Sequence, residues 1–162
     1  MPNAESKRAD FRHAVFRHAI DLRVRWAEVD AQRVVFNGHY LTYCDICITE
    51  YWRAIGLEYP QALHALGCDT FVRKATLEYF DAAVFDDELR IAGRTAALGR
   101  TSLRFVIEMT RQRALDAVLI GAELVYVNAS LSTRTPVPWP DVVREKIRAF
   151  EILAPEEAAR GA

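Results

Sequence analysis

The distribution of apolar and polar positions divides the chain into one long helix and a run of strands. Ile20, Leu22, Val24 and Trp26 alternate with Asp21, Arg23 and Arg25, the two-residue period of a half-buried strand. The alternation stops at Ala27, and Glu28 to Arg33 read as a polar connection. From Asn37 the period changes. Leu41, Cys44, Ile48, Tyr51, Trp52 and Ile55 recur at the three-and-four spacing of one helical face, with Tyr43, Ile46 and Cys47 adding apolar character elsewhere. Only Thr42, Asp45, Thr49 and Arg53 form a polar stripe, so the pattern predicts a helix covered on most sides. Asn37 is a natural N-cap and Gly56 a natural left-handed stop. A helix between them is roughly 27 Å long, enough to cross a small domain.

The rest reads as sheet. After Pro60 the run QALHALG is long enough for one or two helical turns. TFVRKATLEYF is a strand candidate with Ala75, Leu77 and Tyr79 on one side, and Asp86-Asp87 marks a turn. ELRIAGRTAAL follows, then a tight Leu98-Gly99-Arg100 connection in which Gly99 is expected to supply a positive φ. TSLRFVIEMTRQ alternates Leu103, Phe105, Ile107 and Met109 against Arg104, Glu108 and Thr110. A loop at Arg113 to Asp116 leads to AVLIGAELVYVNAS, apolar on both faces and so expected inside the sheet. TPVPWP breaks the sheet, and Asp141 is expected to cap a closing amphipathic helix, VVREKIRAFEIL. Short turns imply antiparallel neighbours. The expected architecture is α+β: a long helix inserted after the first strand, with a curved antiparallel meander of five to six strands wrapped round it. Residues 1–16 read as a loose arm, 17–152 as one domain and 153–162 as a frayed tail. Exposed sheet edges invite pairing with a second copy, so a homodimer or homotetramer is expected.

Composition removes alternatives more than it adds. The 162 residues suffice for one domain with a sizeable core. A formal net charge of −1 gives no electrostatic reason to expect nucleic acid or a membrane surface as partner. No window of ~18 uninterrupted apolar residues is present, and the N-terminal stretch lacks the apolar core of a secretory signal, which makes a cytoplasmic protein the expectation. Cys44, Cys47 and Cys68 are an odd set, expected as free thiols. Cys44 and Cys47 spell C-x-x-C, but mid-helix among Tyr43, Ile46 and Ile48 they read as packing residues. The histidines have no metal-ligand spacing with the cysteines, so no metal is expected. Phosphate-loop, dinucleotide-fold and serine-elbow patterns are absent.

The stretch RWAEVDAQRVVFNGHYLTYCDICITEYWRAIG resembles the N-terminal signature of hotdog-fold acyl-CoA thioesterases of the 4-hydroxybenzoyl-CoA thioesterase type. KATLEYFDAAVFDDELRI, the LGRTS hairpin, LVYVNAS and VPWP are similar to later pieces of that family, so the likeness runs from Leu22 to Ile147. The resemblance implies a hotdog fold: a central helix held in a curved sheet, dimers joined edge to edge, and active sites at the subunit interface. It makes Asp30 the catalytic carboxylate and matches the carbonyl-polarising amides to the turn from Phe36 to Tyr40, with Asn37, Gly38, His39 and Tyr40 lining the site. It matches coenzyme A contacts to Arg100, Thr101, Ser102 and Arg134, partly across the interface. Many relatives carry Gly where this chain has Arg33, so a different loop backbone is expected there.

The implied activity is hydrolysis of an acyl-CoA thioester to the acid and free coenzyme A, with no cofactor beyond the coenzyme A of the substrate. Such chemistry needs donors where negative charge develops on the carbonyl oxygen and a nucleophile at the carbon. A helix N-terminus supplies free N–H groups and a partial positive charge. Asp30 would attack directly or activate a water. On spacing alone Asp30 reads first as an Asx-type turn residue, Glu28 as solvated or as an aid to positioning the loop, His39 as a contact for substrate or water or an idle imidazole, and Tyr40 as core or pocket wall. Phe36, Tyr43, Phe71 and Tyr79 are candidate pocket aromatics and equally good core residues. Asp45 is the alternative carboxylate, since a charge on a buried helix needs an explanation. A non-catalytic acyl-CoA-binding module and, after it, a hotdog dehydratase are the competing readings.

Overall fold

The computed structural model describes residues 15–157. Residues 1–14 of the expected N-terminal arm lie outside the described residues. Five strands, β1 (His18–Arg23), β2 (Cys68–Tyr79), β3 (Glu88–Leu98), β4 (Ser102–Arg111) and β5 (Ala114–Ser130), form one sheet in the order β1-β3-β4-β5-β2. Every pairing is antiparallel. The helices are α1 (His39–Ala54), α2 (Gln61–Ala65) and α3 (Asp141–Phe150). This is the expected hotdog arrangement, with α1 lying across one face of the sheet.

The period of α1 decides which side faces the sheet. Tyr40, Tyr43, Cys44, Cys47, Ile48, Tyr51 and Trp52 are buried and fall on a single three-and-four stripe. They share one buried core with Leu103, Phe105, Ile107 and Met109, the alternating residues of β4, all at most 2 % exposed, and Tyr51 packs edge-on against Phe105 at 4.9 Å. The helix ends as its sequence predicts: Gly56 takes φ +75°, its N–H bonds the Arg53 carbonyl, and the Leu57 N–H bonds that of Trp52, closing a Schellman motif. The cysteines are free and buried; burial pushes the Cys44 thiol up to about 12, which fits packing rather than redox work.

Several local expectations are corrected. Leu41 is exposed, and with Thr42 and Asp45 it forms a face of α1 that this chain leaves uncovered. β1 ends at Arg23, so Trp26 lies in a single 3-10 turn, Trp26–Glu28, largely in solvent. The sheet is not a simple meander: β2 crosses to the far edge and pairs with β5, leaving β3 to pair with β1 and β4. The β4–β5 connection is only Gln112 and Arg113. Gly99 does not adopt the left-handed φ; it is needed for close approach, since a Cβ there would stand 3.1 Å from the Ser102 hydroxyl. Asp141 is the first residue of α3 rather than its cap, which is Pro140. The tail does not fray at 153. Glu156 pairs in parallel with Ala97, exchanging backbone bonds with Ala96 and Leu98 on the part of β3 that β1 does not cover.

Candidate active site

The loop between β1 and α1 is a closed structure. The Glu28 carbonyl accepts from the Phe36 N–H at 2.9 Å, Val29 bridges to Val35, and the Asp30 N–H donates to the Val34 carbonyl. Val34 bridges to Val84 and the Val35 N–H donates to the Ala83 carbonyl, which ties the loop to the segment following β2. At its tip Arg33 adopts φ +64°. That is the left-handed region, which favours glycine, and here an arginine occupies it.

Asp30 is half-buried on this loop. Its Oδ1 accepts from the Gln32 N–H at 2.7 Å, the Asx turn that spacing alone suggests. Its Oδ2 has no donor among the described residues. The turn and the functional reading therefore coexist: one oxygen fixes the side chain and the other is uncommitted. The carboxylate lines a cleft of about 430 Å³ whose aromatic walls are Phe36, Tyr40, Tyr79 and Phe80. Asn37 from the start of α1 and Asp81 from the end of β2 complete its polar rim. Asp81 is paired with Arg111 at 3.2 Å.

The helix start departs from expectation in detail. Gly38, not Asn37, is the N-cap, and no side chain caps the helix. Asn37 is exposed, and its carbonyl accepts from the Tyr79 hydroxyl at 3.3 Å. The His39 N–H is already bonded to the Phe36 carbonyl, which removes it from the candidate carbonyl-polarising amides. The Asn37 and Gly38 N–H groups have no acceptor among the described residues. A Cβ at Gly38 would stand 2.9 Å from the Phe36 ring, so its bare backbone lets that ring fold against the helix start. Tyr40 is cleft wall and core together: its hydroxyl accepts from the Ala83 N–H at 2.9 Å, and burial pushes its pKa up. Gly38 and His39 do not line the cleft; the His39 ring stands edge-on to Phe36 at 6.0 Å.

Asp45 lies beyond the cleft and is exposed, so the desolvation argument for it lapses in this chain. Glu28 reverses its expectation. It is 4 % exposed, and its carboxylate accepts from the Arg25 N–H and guanidinium and from the Tyr43 hydroxyl at 2.7 Å. Burial pushes its carboxyl up, yet these bonds prevail and hold it below the usual range. Tyr43 is thus committed to Glu28 rather than to the cleft.

Arg100 and Thr101 lie in the β3–β4 turn, with Ser102 opening β4, and the Arg100 and Thr101 carbonyls accept from the Trp139 and Asn128 N–H groups. Arg134, at φ +58°, holds its guanidinium 5.3 Å over Phe71. Phe71 and Tyr79 stand near opposite ends of β2, about 25 Å apart at strand rise. Within one chain the Arg134 end and the Asp30 cleft are therefore not brought together. Among the described residues no cluster of His, Cys, Asp or Glu suits a metal, and no helix is long and apolar enough to cross a membrane.

Residues 32–118 match the thioesterase superfamily. An Escherichia coli protein named acyl-CoA thioester hydrolase YbgC is 32% identical over 106 residues, which span 65% of this chain and 77% of that protein. A Thermus thermophilus thioesterase solved with coenzyme A and Zn is 27% identical, covers 84% of this chain and 95% of its own, and superposes with a TM-score of 0.71. A 1,4-dihydroxy-2-naphthoyl-CoA thioesterase from Synechocystis, at 18% identity, shares the fold with a TM-score of 0.73 over 80% of this chain and 94% of its own. On that family match over more than half of the chain, and on the E. coli relative, the protein belongs to the thioesterase superfamily.

Proposed function

We propose that the protein hydrolyses an acyl-CoA thioester to the free acid and coenzyme A, with Asp30 as the catalytic carboxylate. The observation that carries this reading is the position of Asp30: half-buried, turned by one oxygen, and on the wall of a cleft it shares with Asn37 at the start of α1. The thioester carbonyl sits against the Asn37 N–H on the cleft wall, where the positive end of the helix stabilises developing negative charge. Asp30 either attacks the carbonyl carbon, expelling the thiolate and leaving a mixed anhydride that water hydrolyses to the acid, or takes a proton from a water that attacks the carbon itself. The thiolate leaves without a strong general acid, and the route uses no cofactor beyond the substrate's own coenzyme A. The E. coli relative's activity and the coenzyme A in the Thermus structure support the substrate class.

The reading includes a two-fold assembly through the free edge of β2, whose residues from Phe71 to Thr76 are exposed. Antiparallel pairing of two such edges brings the Arg100–Ser102 turn and Arg134 of one copy toward the Asp30 cleft of the other. That arrangement gives the coenzyme A phosphates guanidinium partners, which the cleft lining lacks, and the hydroxyls of Thr101 and Ser102. Size measurement by light scattering tests it, and a monomer at micromolar concentration would refute it.

Thiol release from a panel of acyl-CoAs tests the chemistry. Asp30→Asn should lose at least about a hundredfold in kcat, on the scale of removing a nucleophile or base. Full turnover by Asp30→Asn removes the residue from its role, and loss in Asp45→Asn instead transfers that role to Asp45.

A further inference from the structure

Glu28 is a buried ionisable group that thioester hydrolysis as proposed above does not use. It stands two residues before Asp30, at the point where the loop leaves the strand side of the molecule. Its side chain and backbone reach different parts of one element. The carboxylate accepts from the Tyr43 hydroxyl at 2.7 Å, on the second turn of α1. The carbonyl accepts from the N–H of Phe36, just before α1 begins. The two bonds make a latch across the base of the loop, with Asp30 inside it and the helix start on its far side.

We propose that the Glu28–Tyr43 bond is a positioning device that sets the Asp30 carboxylate relative to the amides at the start of α1. The inference rests on the catalytic reading of Asp30. Three features support it. Glu28 and Tyr43 are both buried, so water does not compete for the bond. The Arg25 guanidinium, 67% exposed, bonds the other carboxylate oxygen, Oε1, and leaves Oε2 to the Tyr43 hydroxyl and the Arg25 N–H. The Tyr43 ring also packs edge-on against Tyr40, a wall of the cleft, at 5.8 Å. A shift at this bond therefore reaches both the loop and the wall. Displacement of a reacting group by about 1 Å costs on the order of a hundredfold in rate.

The experiment compares Tyr43→Phe, Glu28→Ala, Glu28→Gln and Arg25→Ala in thiol release, with hydrogen exchange at the Asp30 and Phe36 amides as a readout independent of turnover. Tyr43→Phe and Glu28→Ala should each lower kcat about ten- to a hundredfold with KM within about twofold. The double variant should be no worse than Glu28→Ala, because both changes remove one bond. Glu28→Gln keeps an acceptor for Tyr43 and should stay near wild type, as should Arg25→Ala. Exchange at Asp30 and Phe36 should quicken at least about tenfold in Tyr43→Phe. The latch is overturned if Tyr43→Phe keeps wild-type kcat and exchange while only its melting temperature falls, or if Glu28→Gln is as impaired as Glu28→Ala. If Asp30→Asn keeps full turnover, the catalytic reading fails by itself, and the exchange measurement still decides the latch.

Discussion

Gly93 lies where Cys47 of α1 packs against the sheet, and replacing it with alanine tests that packing. It sits on β3 between His18 of β1 and Ile107 of β4. A Cβ at this position would stand 2.5 Å from Phe105 Cε1, 3.0 Å from its Cζ and 3.1 Å from Cys47 Sγ, the last on α1. Neither neighbour moves cheaply. Phe105 is 1 % exposed and its ring abuts Tyr51 at 4.9 Å. Tyr51 in turn donates to Glu151 at 2.7 Å. Overpacking of this kind costs 1–3 kcal/mol, and with both neighbours pinned the loss should be about 3 kcal/mol. At a urea slope of about 2 kcal/mol/M, the unfolding midpoint falls by about 1.5 M with the slope unchanged. Leucine at 105 lacks the two clashing ring atoms, so Gly93→Ala should cost at least about 1 kcal/mol less in a Phe105→Leu background. Gly67→Ala is the contrast. Nothing stands within 4 Å of a Cβ there, but φ is +74°, so its cost of about 1 kcal/mol comes from the backbone and should not couple to Phe105. A Gly93→Ala midpoint within about 0.3 M of wild type, or no coupling to Phe105, would refute the reasoning.

Two further changes test the loop and the closing segment. Arg33→Gly relieves a side chain held at φ +64° and should raise stability by about 1 kcal/mol in the same urea assay; an unchanged or lower midpoint would show that the Arg33 side chain makes up for the strain. Glu151 is buried, and burial raises its carboxyl above the ordinary 4.5 against bonds from Tyr51 and the Thr95 N–H. The native state then holds this proton more tightly than the unfolded chain. Its contribution is fully present below about pH 4.5 and is lost as pH rises through the raised value. Glu151→Gln keeps an acceptor for both donors and removes the titration. Its stability should therefore decline less than wild type as pH rises above about 4.5, and parallel curves would assign the proton elsewhere.

What the sequence reveals depends on how far apart the deciding residues lie. The α1 stripe and the β4 alternation are written in neighbours three, four or two residues apart, and both are where the pattern puts them. Leu41 is misread because its type says only that it is apolar; which part of the circumference meets the sheet is settled by residues on β3 and β4. The sheet order is hidden for a similar reason. β2 is followed closely by β3 yet pairs with β5, and local periodicity carries no record of that crossing. Asn37 against Gly38 as cap is a one-residue shift in where the helix begins. Asp30 is legible through the motif around it, but the cleft wall from Phe80 and Ala82 depends on the bridge of Val34 to Val84.

Glu28 shows the limit most clearly. A glutamate in a polar connection reads as solvated, and nothing within the loop says otherwise. Its buried carboxylate meets a hydroxyl fifteen residues on, that of Tyr43 on α1. Phenylalanine at 43 would satisfy the same apolar stripe, so the helical pattern cannot distinguish a core ring from a ring that carries a hydrogen bond. The distinction appears only once loop and helix are side by side. It then gives the tyrosine a reason for its oxygen: a buried hydroxyl needs an acceptor, and the buried carboxylate supplies it. The same pairing stiffens the one loop whose geometry the proposed hydrolysis needs.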